Sequence, residues 1–493
     1  MNIKEAKEYI EDTVKLYLKK DEYGDYRIPV VRQRPIFLLG APGIGKTAIM
    51  EQVASKLGIA LVSYSMTHHT RQSALGLPFI DKKEYGGKTV SVSEYTMSEI
   101  IASVYDTVKE SGVSEGILFL DEINCVSETL YPSMLQFLQY KTFGRHKVPE
   151  GWVIVTAGNP PEFNKAVREF DVVTLDRLKV LNVEADYPAW KEYAEENALH
   201  GAILGFLDAN REYFYKIENT TEGRNYVTAR GWEDLSQILF LYEEDGIVPG
   251  IHLIGQYIHD EQVVREFAAY YELYNKYKET YRVNALLNGD ITDEAVARAK
   301  NASVDEKLAL EGLLVDAIKA DLRRVNTDAE AIRSLTPALK KAKESDDPSA
   351  SLKELKESLA DALKTRERSG ALTVHDKKAF KSKIRLAEEF IDAIKDTDKK
   401  ADVLSNAYSG KVSMLKEAAS KAGQRLSNGF KFTKEAYGEE SNEMLVMVTE
   451  LTVDINSASF LAAFGSEDYE KYSGLLMVND RESALRKDIE NLL

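Results

Sequence analysis

Residues 40–47 read Gly-Ala-Pro-Gly-Ile-Gly-Lys-Thr, a glycine-rich pattern that ends in Lys46 and Thr47 and suits a phosphate chain. The pattern follows the apolar run IFLL and precedes a helical pattern, which is the context that it requires. Its glycines let backbone N–H groups converge on one anion, while Lys46 would reach the β- and γ-phosphates and Thr47 would hold Mg²⁺. We therefore expect ATP or ADP with Mg²⁺ to be bound by Gly40, Ala41, Pro42, Gly43, Ile44, Gly45, Lys46, Thr47 and Ala48.

Acidic and amide side chains follow two further apolar runs. ILFLDE at 117–122 delivers Asp121 and Glu122 at the end of a predicted strand, the edge at which open α/β sheets bind ligands. We expect Asp121 to support the Mg²⁺ held by Thr47, and Glu122 to polarise the attacking water. TAGNP at 156–160 places Asn159 at the end of the next strand, about 4.8 Å away in such a sheet, where it can position the same water.

Arg177 lies in DVVTLDRLKV at 171–180, directly before an apolar run that reads as a buried strand. Phosphoryl transfer spreads negative charge over the equatorial oxygens, and a well-placed guanidinium stabilises that charge. An arginine this close to a core strand usually has an anion to meet; Arg168 is the rival of Arg177 for this role, and Arg145 is a weaker candidate. The alternative is a structural ion pair of Arg177 with Asp171 or Asp176.

The elements that must position these residues are read from the apolar pattern. Five short apolar runs alternate with helical patterns, which predicts an α/β fold with a parallel sheet flanked by helices. An inserted hairpin is predicted near 76–95 and a second one at 140–152. The five runs lie at 36–39, 59–66, 116–120, 152–156 and 179–185.

From Tyr187 onward the pattern is helical, and 294–430 is rich in Ala, Lys, Glu and Leu, with breaks predicted at 344–351 and 365–373. A helical region without a catalytic constellation more often binds than reacts, so we interpret it as a spacer or docking region. The predicted domains are an α/β nucleotide-binding core at 1–186, a helical lid at 187–250, a helical spacer or docking region at 251–430 and a small C-terminal helical unit at 431–493.

Charge and cysteine content restrict the class of protein. The formal net charge of −16 gives no overall attraction to nucleic acid or anionic membrane. One cysteine, Cys125, excludes an internal disulfide framework and fits a reducing compartment. No stretch approaches the roughly 18 uninterrupted apolar residues of a spanning helix. We therefore expect a cytoplasmic protein without membrane insertion.

Taken together, the motifs resemble the AAA+ ATPases, and within them the MoxR-type group. The matching stretches are GAPGIGKT, LFLDEIN, TAGNP, DRL at 176–178 and TARGWEDLS at 228–236, so the resemblance covers roughly residues 30–245. It implies that a helical lid follows the sheet and that subunits form rings, usually of six. It also implies that Arg177 acts as an arginine finger on the γ-phosphate held by the neighbouring subunit. Arg230 would contact the γ-phosphate from the same subunit, with Trp232 packing its helix.

The same resemblance implies a function and a partner. It favours ATP hydrolysis coupled to remodelling of a client protein, which would carry a von Willebrand factor A fold. The main alternative is a motor acting on nucleic acid, for which only RHK at 145–147 and KK at 82–83 offer basic residues. A nucleotide-gated scaffold without sustained turnover is a third class, and the presence of Glu122 and Asn159 argues against it.

Overall fold

A computed structural model describes residues 1–68, 74, 76–164, 166–220, 223–474 and 476 of the 493-residue chain. The chain divides into two compact units that are both discontinuous in sequence. One contains Met1–Ala189 together with Ser358–Phe380, and the other contains Trp190–Glu357 together with Lys381–Leu493. The domain boundaries predicted above stay a prediction.

The first unit is built around a five-stranded parallel sheet with the strand order β2-β5-β8-β1-β9. All five apolar runs that predicted strands form them, so the predicted fold class is confirmed. The sheet strands are β1 (Ile36–Gly40), β2 (Ala60–Ser65), β5 (Gly116–Asp121), β8 (Trp152–Gly158) and β9 (Lys179–Val183). The helices of this unit are α1 (Ile3–Tyr17), α2 (Ala48–Leu57), α3 (Glu99–Ser111), α4 (Tyr131–Tyr140) and α5 (Val172–Leu175).

Burial on both sides explains why these strands are continuously apolar. The central strand β8 is buried along its whole length, and the side chains of Leu118, Leu120 and Ile154 pack in one core with residues of α3 and α4. Because successive side chains point to opposite faces, Phe119 and Val155 are buried on the other face. The carboxyl ends of the strands meet at one edge, and the register there places Ser65 of β2 beside Asp121 of β5.

Both hairpins predicted from the sequence are present. β3 (Pro78–Tyr85) pairs with β4 (Lys88–Tyr95), and β6 (Thr142–Phe143) pairs with β7 (His146–Lys147). The two hairpins contact each other. Glu94 of β4 forms ion pairs with Lys83 of the same hairpin and with Arg145 at the tip of the other, and His146 Nε2 lies 3.1 Å from the carbonyl oxygen of Tyr95.

A distant segment, Ser358–Phe380, completes the first unit at the sheet edge formed by β2. The backbone N–H of Leu61 donates to the carbonyl oxygen of Ser369 at 2.7 Å. Gly370 has a φ of +69°, and a Cβ there would lie 2.3 Å from the carbonyl oxygen of Leu61, so this close approach requires glycine. On the neighbouring helix α2, the Ser55 hydroxyl donates to Asp376 at 2.6 Å and accepts from Arg366 at 3.0 Å.

The second unit is mostly helical, as predicted for the C-terminal half. Two long helices, of 41 and 38 residues, pack side by side in it. A short hairpin, β10 (Lys216–Thr220) with β11 (Gly223–Val227), precedes the helix that contains Arg230. The other α-helices of the described residues are α6 (Tyr187–Glu196), α7 (Gly201–Ala209), α8 (Ala229–Glu244), α9 (Ile251–Ile254), α10 (Glu261–Tyr281), α11 (Val283–Leu287), α12 (Asp293–Lys300), α13 (Val304–Glu344), α14 (Pro348–Arg368), α15 (Val374–Ala393), α16 (Lys400–Tyr437), α17 (Asn442–Val453) and α18 (Ile455–Phe464).

The two breaks predicted in the helical half are confirmed as the ends of α13 and α14. Within the described part of the chain, no single helix has the length and apolarity needed to cross a membrane. The pair α17 and α18, bent by 88°, meets that test together by length and composition alone.

Candidate active site

The loop between β1 and α2 has the backbone of an anion-binding turn. Gly43 and Gly45 adopt φ values of 74° and 94°, which residues with a side chain rarely adopt and which are typical of backbone turns that bind anions. The helix α2 starts at Ala48 directly behind this turn, and the Thr47 hydroxyl does not cap it. The N–H groups of Ile49 and Met50 donate to the carbonyl oxygens of Gly45 and Thr47 at 3.2 and 3.1 Å, and the positive end of the helix dipole favours a phosphate in front of this turn.

Lys46 lies between this loop and the end of β8, with 7% of its surface exposed. Its ammonium donates to the carbonyl oxygens of Gly40 at 2.8 Å and Ala41 at 2.7 Å, and to Oδ1 of Asn159 at 2.9 Å. A cation on neutral oxygen acceptors within an anion-binding turn can exchange some of these contacts for phosphate oxygens.

Thr47 and Asp121 meet across the sheet edge. The Thr47 hydroxyl donates to Oδ2 of Asp121 at 3.0 Å. A hydroxyl and a carboxylate at the edge of a phosphate-binding loop are the hard oxygen ligands that Mg²⁺ prefers when it also binds phosphates. The two residues predicted to hold Mg²⁺ therefore fit that ion by their position and by their chemistry.

Glu122 is held in an uncommon backbone conformation. Its φ of 55° and ψ of 35° lie in the left-handed region, which is costly for a residue with a side chain and occurs often at functional sites. Its carboxylate accepts hydrogen bonds from the hydroxyls of Ser65 at 2.8 Å and Thr67 at 2.9 Å. A carboxylate that accepts two hydrogen bonds from neighbouring hydroxyls is oriented by them.

The sequence reasoning missed Ser65 and Thr67. A signal was available, because Ser65 ends a strand that neighbours β5, and polar side chains at the ends of adjacent parallel strands are close together. The sequence reasoning placed Asn159 next to Glu122, whereas its described side-chain contact is to Lys46. The backbone carbonyl oxygen of Asn159 accepts from Nδ2 of Asn124 at 2.8 Å.

The three candidate finger arginines have different surroundings. Arg168 forms an ion pair with Glu128, and Arg145 forms one with Glu94. Arg177 is exposed, follows the short helix α5, and makes no ion pair among the described residues.

The alternative of an ion pair between Arg177 and Asp171 or Asp176 is therefore not formed within the described residues. Asp171 instead caps α5, and its carboxylate accepts from the backbone N–H of Thr174 at 2.8 Å. Hydrogen bonds from the side chain and from the backbone N–H of Thr174 are the main reason why the pKa of Asp171 is lowered, and the positive charge of Arg177 contributes less. Among the described residues, Arg177 therefore has no ion-pair partner, and its side chain is exposed.

Arg230 belongs to the second compact unit and is exposed in the first turn of α8. The Thr228 hydroxyl caps this helix by accepting from the N–H of Gly231 at 3.2 Å. Trp232 is fully buried, packs edge-on against Phe267, and donates its indole N–H to the carbonyl oxygen of Tyr213 at 3.2 Å. The expected packing role of Trp232 is confirmed, and it fixes the helix end that presents Arg230.

The described groups together suit one reaction. An anion-binding turn with Lys46 binds a phosphate chain, Thr47 and Asp121 suit Mg²⁺, and Glu122 lies next to Asp121 as a potential base. This combination supports the cleavage of a phosphoanhydride by water.

Comparison with known protein families gives a match to this part of the chain. No curated protein matches the sequence. Residues 36–176 match the family model described as ATPase family associated with various cellular activities (AAA). The matched range begins at β1 and includes Lys46, Asp121, Glu122 and Asn159, while Arg177 follows its last residue. Residues 36–176 are therefore similar to the AAA family of ATPases, whose members in general bind nucleotide and hydrolyse ATP.

Proposed function

We propose that the protein is a ring-forming ATPase of the MoxR type, which hydrolyses ATP at subunit interfaces and uses the energy to remodel or activate a partner protein. The observation that carries this proposal is that the surroundings of Arg177 differ from those of the other two candidate arginines. Arg145 and Arg168 are both paired within their own subunit, whereas Arg177 is exposed and has no described ion-pair partner. A guanidinium of this kind is available to a phosphate on another subunit.

The proposed chemistry assigns one task to each group. The turn at Gly40–Ala48 and the ammonium of Lys46 bind the phosphates of ATP. Mg²⁺, held by Thr47 and Asp121, would neutralise part of the charge that develops on the phosphates. Glu122, once released from its two hydroxyl donors, accepts the proton of the attacking water.

Two arginines complete the site in this proposal. Arg177 of the neighbouring subunit stabilises the charge on the transferred phosphoryl group, which in other systems contributes about 10³–10⁵ in rate. Arg230 contacts the γ-phosphate from the same subunit and reports to the lid whether ATP or ADP is bound. Members of the AAA family commonly form hexameric rings, and a ring of six supplies a neighbour to every site.

The choice of a protein client rests on charge and on resemblance. The net charge of −16 gives no overall attraction to nucleic acid. The inserted hairpin at 78–95 and the TARGWE start of α8 support the MoxR type, whose partners carry a von Willebrand factor A fold. We propose a client of that class.

Mixing two inactive variants tests the shared site. Arg177→Ala supplies an intact Glu122 but no finger, and Glu122→Gln supplies an intact finger but no base. In mixed rings at equal ratio, about one quarter of the interfaces then combine an intact base with an intact finger. We expect ATPase activity to return toward that fraction. If mixed rings form and no activity returns at any ratio, Arg177 does not act in trans.

The partner is tested separately with Glu122→Gln protein kept in ATP. Retention of a von Willebrand factor A protein with ATP, and its release when ATP is withdrawn, is the expected result. Retention of DNA or RNA that survives moderate salt would replace the proposed client with a nucleic acid.

A further inference from the structure

Asn124 lies in the helical turn Ile123–Cys125, two residues after Glu122, and only 3% of its surface is exposed. Its side-chain Nδ2 donates to the backbone carbonyl oxygen of Asn159 at 2.8 Å. Its own backbone carbonyl oxygen accepts from the N–H of Arg168 at 2.9 Å. One residue therefore connects the turn after β5, the end of β8 and the segment that leads to α5.

The contact with the end of β8 is also steric. A Cβ built on Gly158 would lie 2.4 Å from Oδ1 of Asn124 and 2.7 Å from its Cγ. Side chains in a close-packed interior cannot absorb an overlap of this size without moving. The side chain of Asn124 thus requires glycine at position 158, and the two residues together fix the position of the Asn159 backbone.

The buried amide of Asn124 destabilises the fold more than an apolar side chain of the same shape would. Its Oδ1 is buried and has no hydrogen-bond partner among the described residues. A buried acceptor without a partner destabilises a fold, and an apolar side chain of similar shape would avoid that cost. What the amide provides, and an apolar side chain could not, is the hydrogen bond from its Nδ2 to the backbone carbonyl oxygen of Asn159.

We infer that Asn124 is a positioning residue for ATP hydrolysis, which holds the backbone of Asn159 so that the Asn159 side chain meets Lys46 and the phosphate end of the site. The inference rests on the proposed ATP hydrolysis and on a role of Asn159 in it, which the sequence analysis predicts and which the contact of its side chain with Lys46 supports. Asn124 itself touches neither nucleotide nor water in this assignment. Its effect should therefore appear in turnover and pass through Asn159.

The test compares Asn124→Ala, Asn159→Ala and the double variant by kcat, by KM for ATP and by the affinity for nucleotide. We expect Asn124→Ala to lower kcat by about 10²-fold, as misplacement of a catalytic group does, with nucleotide affinity nearly unchanged. In the Asn159→Ala background, Asn124→Ala should cause little further loss, because the two changes remove the same interaction.

Two variants guard this test against a general structural effect. Asn124→Leu keeps the branched shape without the N–H donor, and it should lose kcat as Asn124→Ala does without a lower melting temperature. Cys125→Ser, in the same turn, is the matched control. Within the part of the chain that the structure describes, its thiol accepts one long contact of 3.5 Å from Nδ2 of Asn164, and kcat should stay near the wild-type value.

The outcomes separate the inference from the proposed function. Loss of kcat in Asn159→Ala with full activity in both Asn124 variants would overturn the inference and leave the proposed function intact. Full activity in Asn159→Ala would overturn the proposed role of Asn159, and the inference with it. Losses that multiply in the double variant would show that Asn124 acts independently of Asn159 and would also overturn the inference.

The close approach of Asn124 to Gly158 is tested by measuring thermal stability. Gly158→Ala should lower the melting temperature in the wild-type background and have a smaller effect in the Asn124→Ala background, where the overlapping side chain is absent. Equal effects in both backgrounds would contradict the close approach of the two residues.

Discussion

The amide oxygen of Asn159 lies 2.9 Å from the ammonium of Lys46, although 113 positions separate the two residues in the sequence. A hydrogen bond between side chains therefore connects the loop after β1 directly to the polar end of β8. Parallel strands β1 and β8 are direct neighbours, so this contact follows from the strand order of the sheet.

Lys46→Ala should abolish nucleotide binding, because the side chain supplies the positive charge of the anion-binding turn. Binding of a fluorescent ATP analogue measures this directly. The matched control is Lys56→Ala on the same helix α2, where the lysine pairs with Glu11 at 2.9 Å and should not affect affinity. Unchanged affinity in Lys46→Ala would remove the phosphate-binding assignment.

Glu122→Gln should bind ATP yet hydrolyse it at least about 10²-fold more slowly, since an amide cannot accept the proton of the attacking water. Single-turnover hydrolysis together with equilibrium binding separates the two effects. Glu110→Gln on the exposed end of α3 serves as the control for loss of one negative charge. A near-wild-type rate would mean that another group is the base.

Ser65→Ala should raise the basal rate of ATP hydrolysis by about fivefold. The hydroxyl stabilises the carboxylate of Glu122 in its present orientation, and a single hydrogen bond contributes about 1 kcal/mol. Steady-state ATPase measurements without a client test this, with Ser63→Ala, which is exposed on the same strand, as the control. A lower rate would show instead that Ser65 holds Glu122 in its working position.

Arg177→Ala should lower kcat by about 10³-fold or more and leave the affinity for ATP unchanged, because the guanidinium acts on charge that develops during phosphoryl transfer. Arg168→Ala should cost much less, since that arginine is occupied by Glu128. Measuring both variants as assembled rings decides between them. The reverse order of effects would make Arg168 the finger.

Glu311 predicts a pH dependence of stability. It is fully buried on α13, with the Thr433 hydroxyl 3.3 Å from each carboxylate oxygen, and burial raises its pKa from 4.5 to about 8. Between these values the unfolded chain has lost the proton that the folded chain keeps. Stability is therefore highest below about pH 4.5 for this group and falls by up to about 1.4 kcal/mol per pH unit as pH rises toward 8.

Melting temperatures of Glu311→Gln and the wild type across pH 5 to 8 test this prediction, because glutamine keeps the shape without the titration. The variant should gain stability relative to the wild type as pH rises. Glu330→Gln, exposed on the same helix, is the control and should follow the wild-type curve. Parallel curves for Glu311→Gln and the wild type would contradict a neutral Glu311 in the fold.

The parts of the molecule that sequence predicted well are those set by neighbouring residues. Each sheet strand is a short apolar run, and the turn with Gly43 and Gly45 is defined by eight consecutive residues. Both can therefore be predicted without knowledge of the tertiary structure. The order of the strands then brings Thr47 to Asp121. These features need no information beyond local pattern and the rules of parallel sheets.

The parts that sequence did not predict depend on contacts between distant segments. The hydrogen bonds from Ser65 and Thr67 to Glu122 require the pairing of β2 with β5, and their hydroxyls resemble many other surface hydroxyls in the sequence. Asn124 was visible beside Glu122, but its role depends on the carbonyl oxygen of Asn159. The turn at 365–373 was read as a break between helices, and its packing against Leu61 has no local signal.

That packing has a consequence for synthesis on the ribosome. The segment Ser358–Phe380, which covers the edge of the sheet at β2, is made long after Met1–Ala189. At typical elongation rates the interval is about ten to forty seconds, during which the backbone of β2 presents an open edge to other chains. A gene fragment that stops at Ala189 would keep that edge open permanently. An independent ATPase fragment should therefore carry residues 358–380 through a linker, and its yield of monodisperse protein should exceed that of the shorter piece.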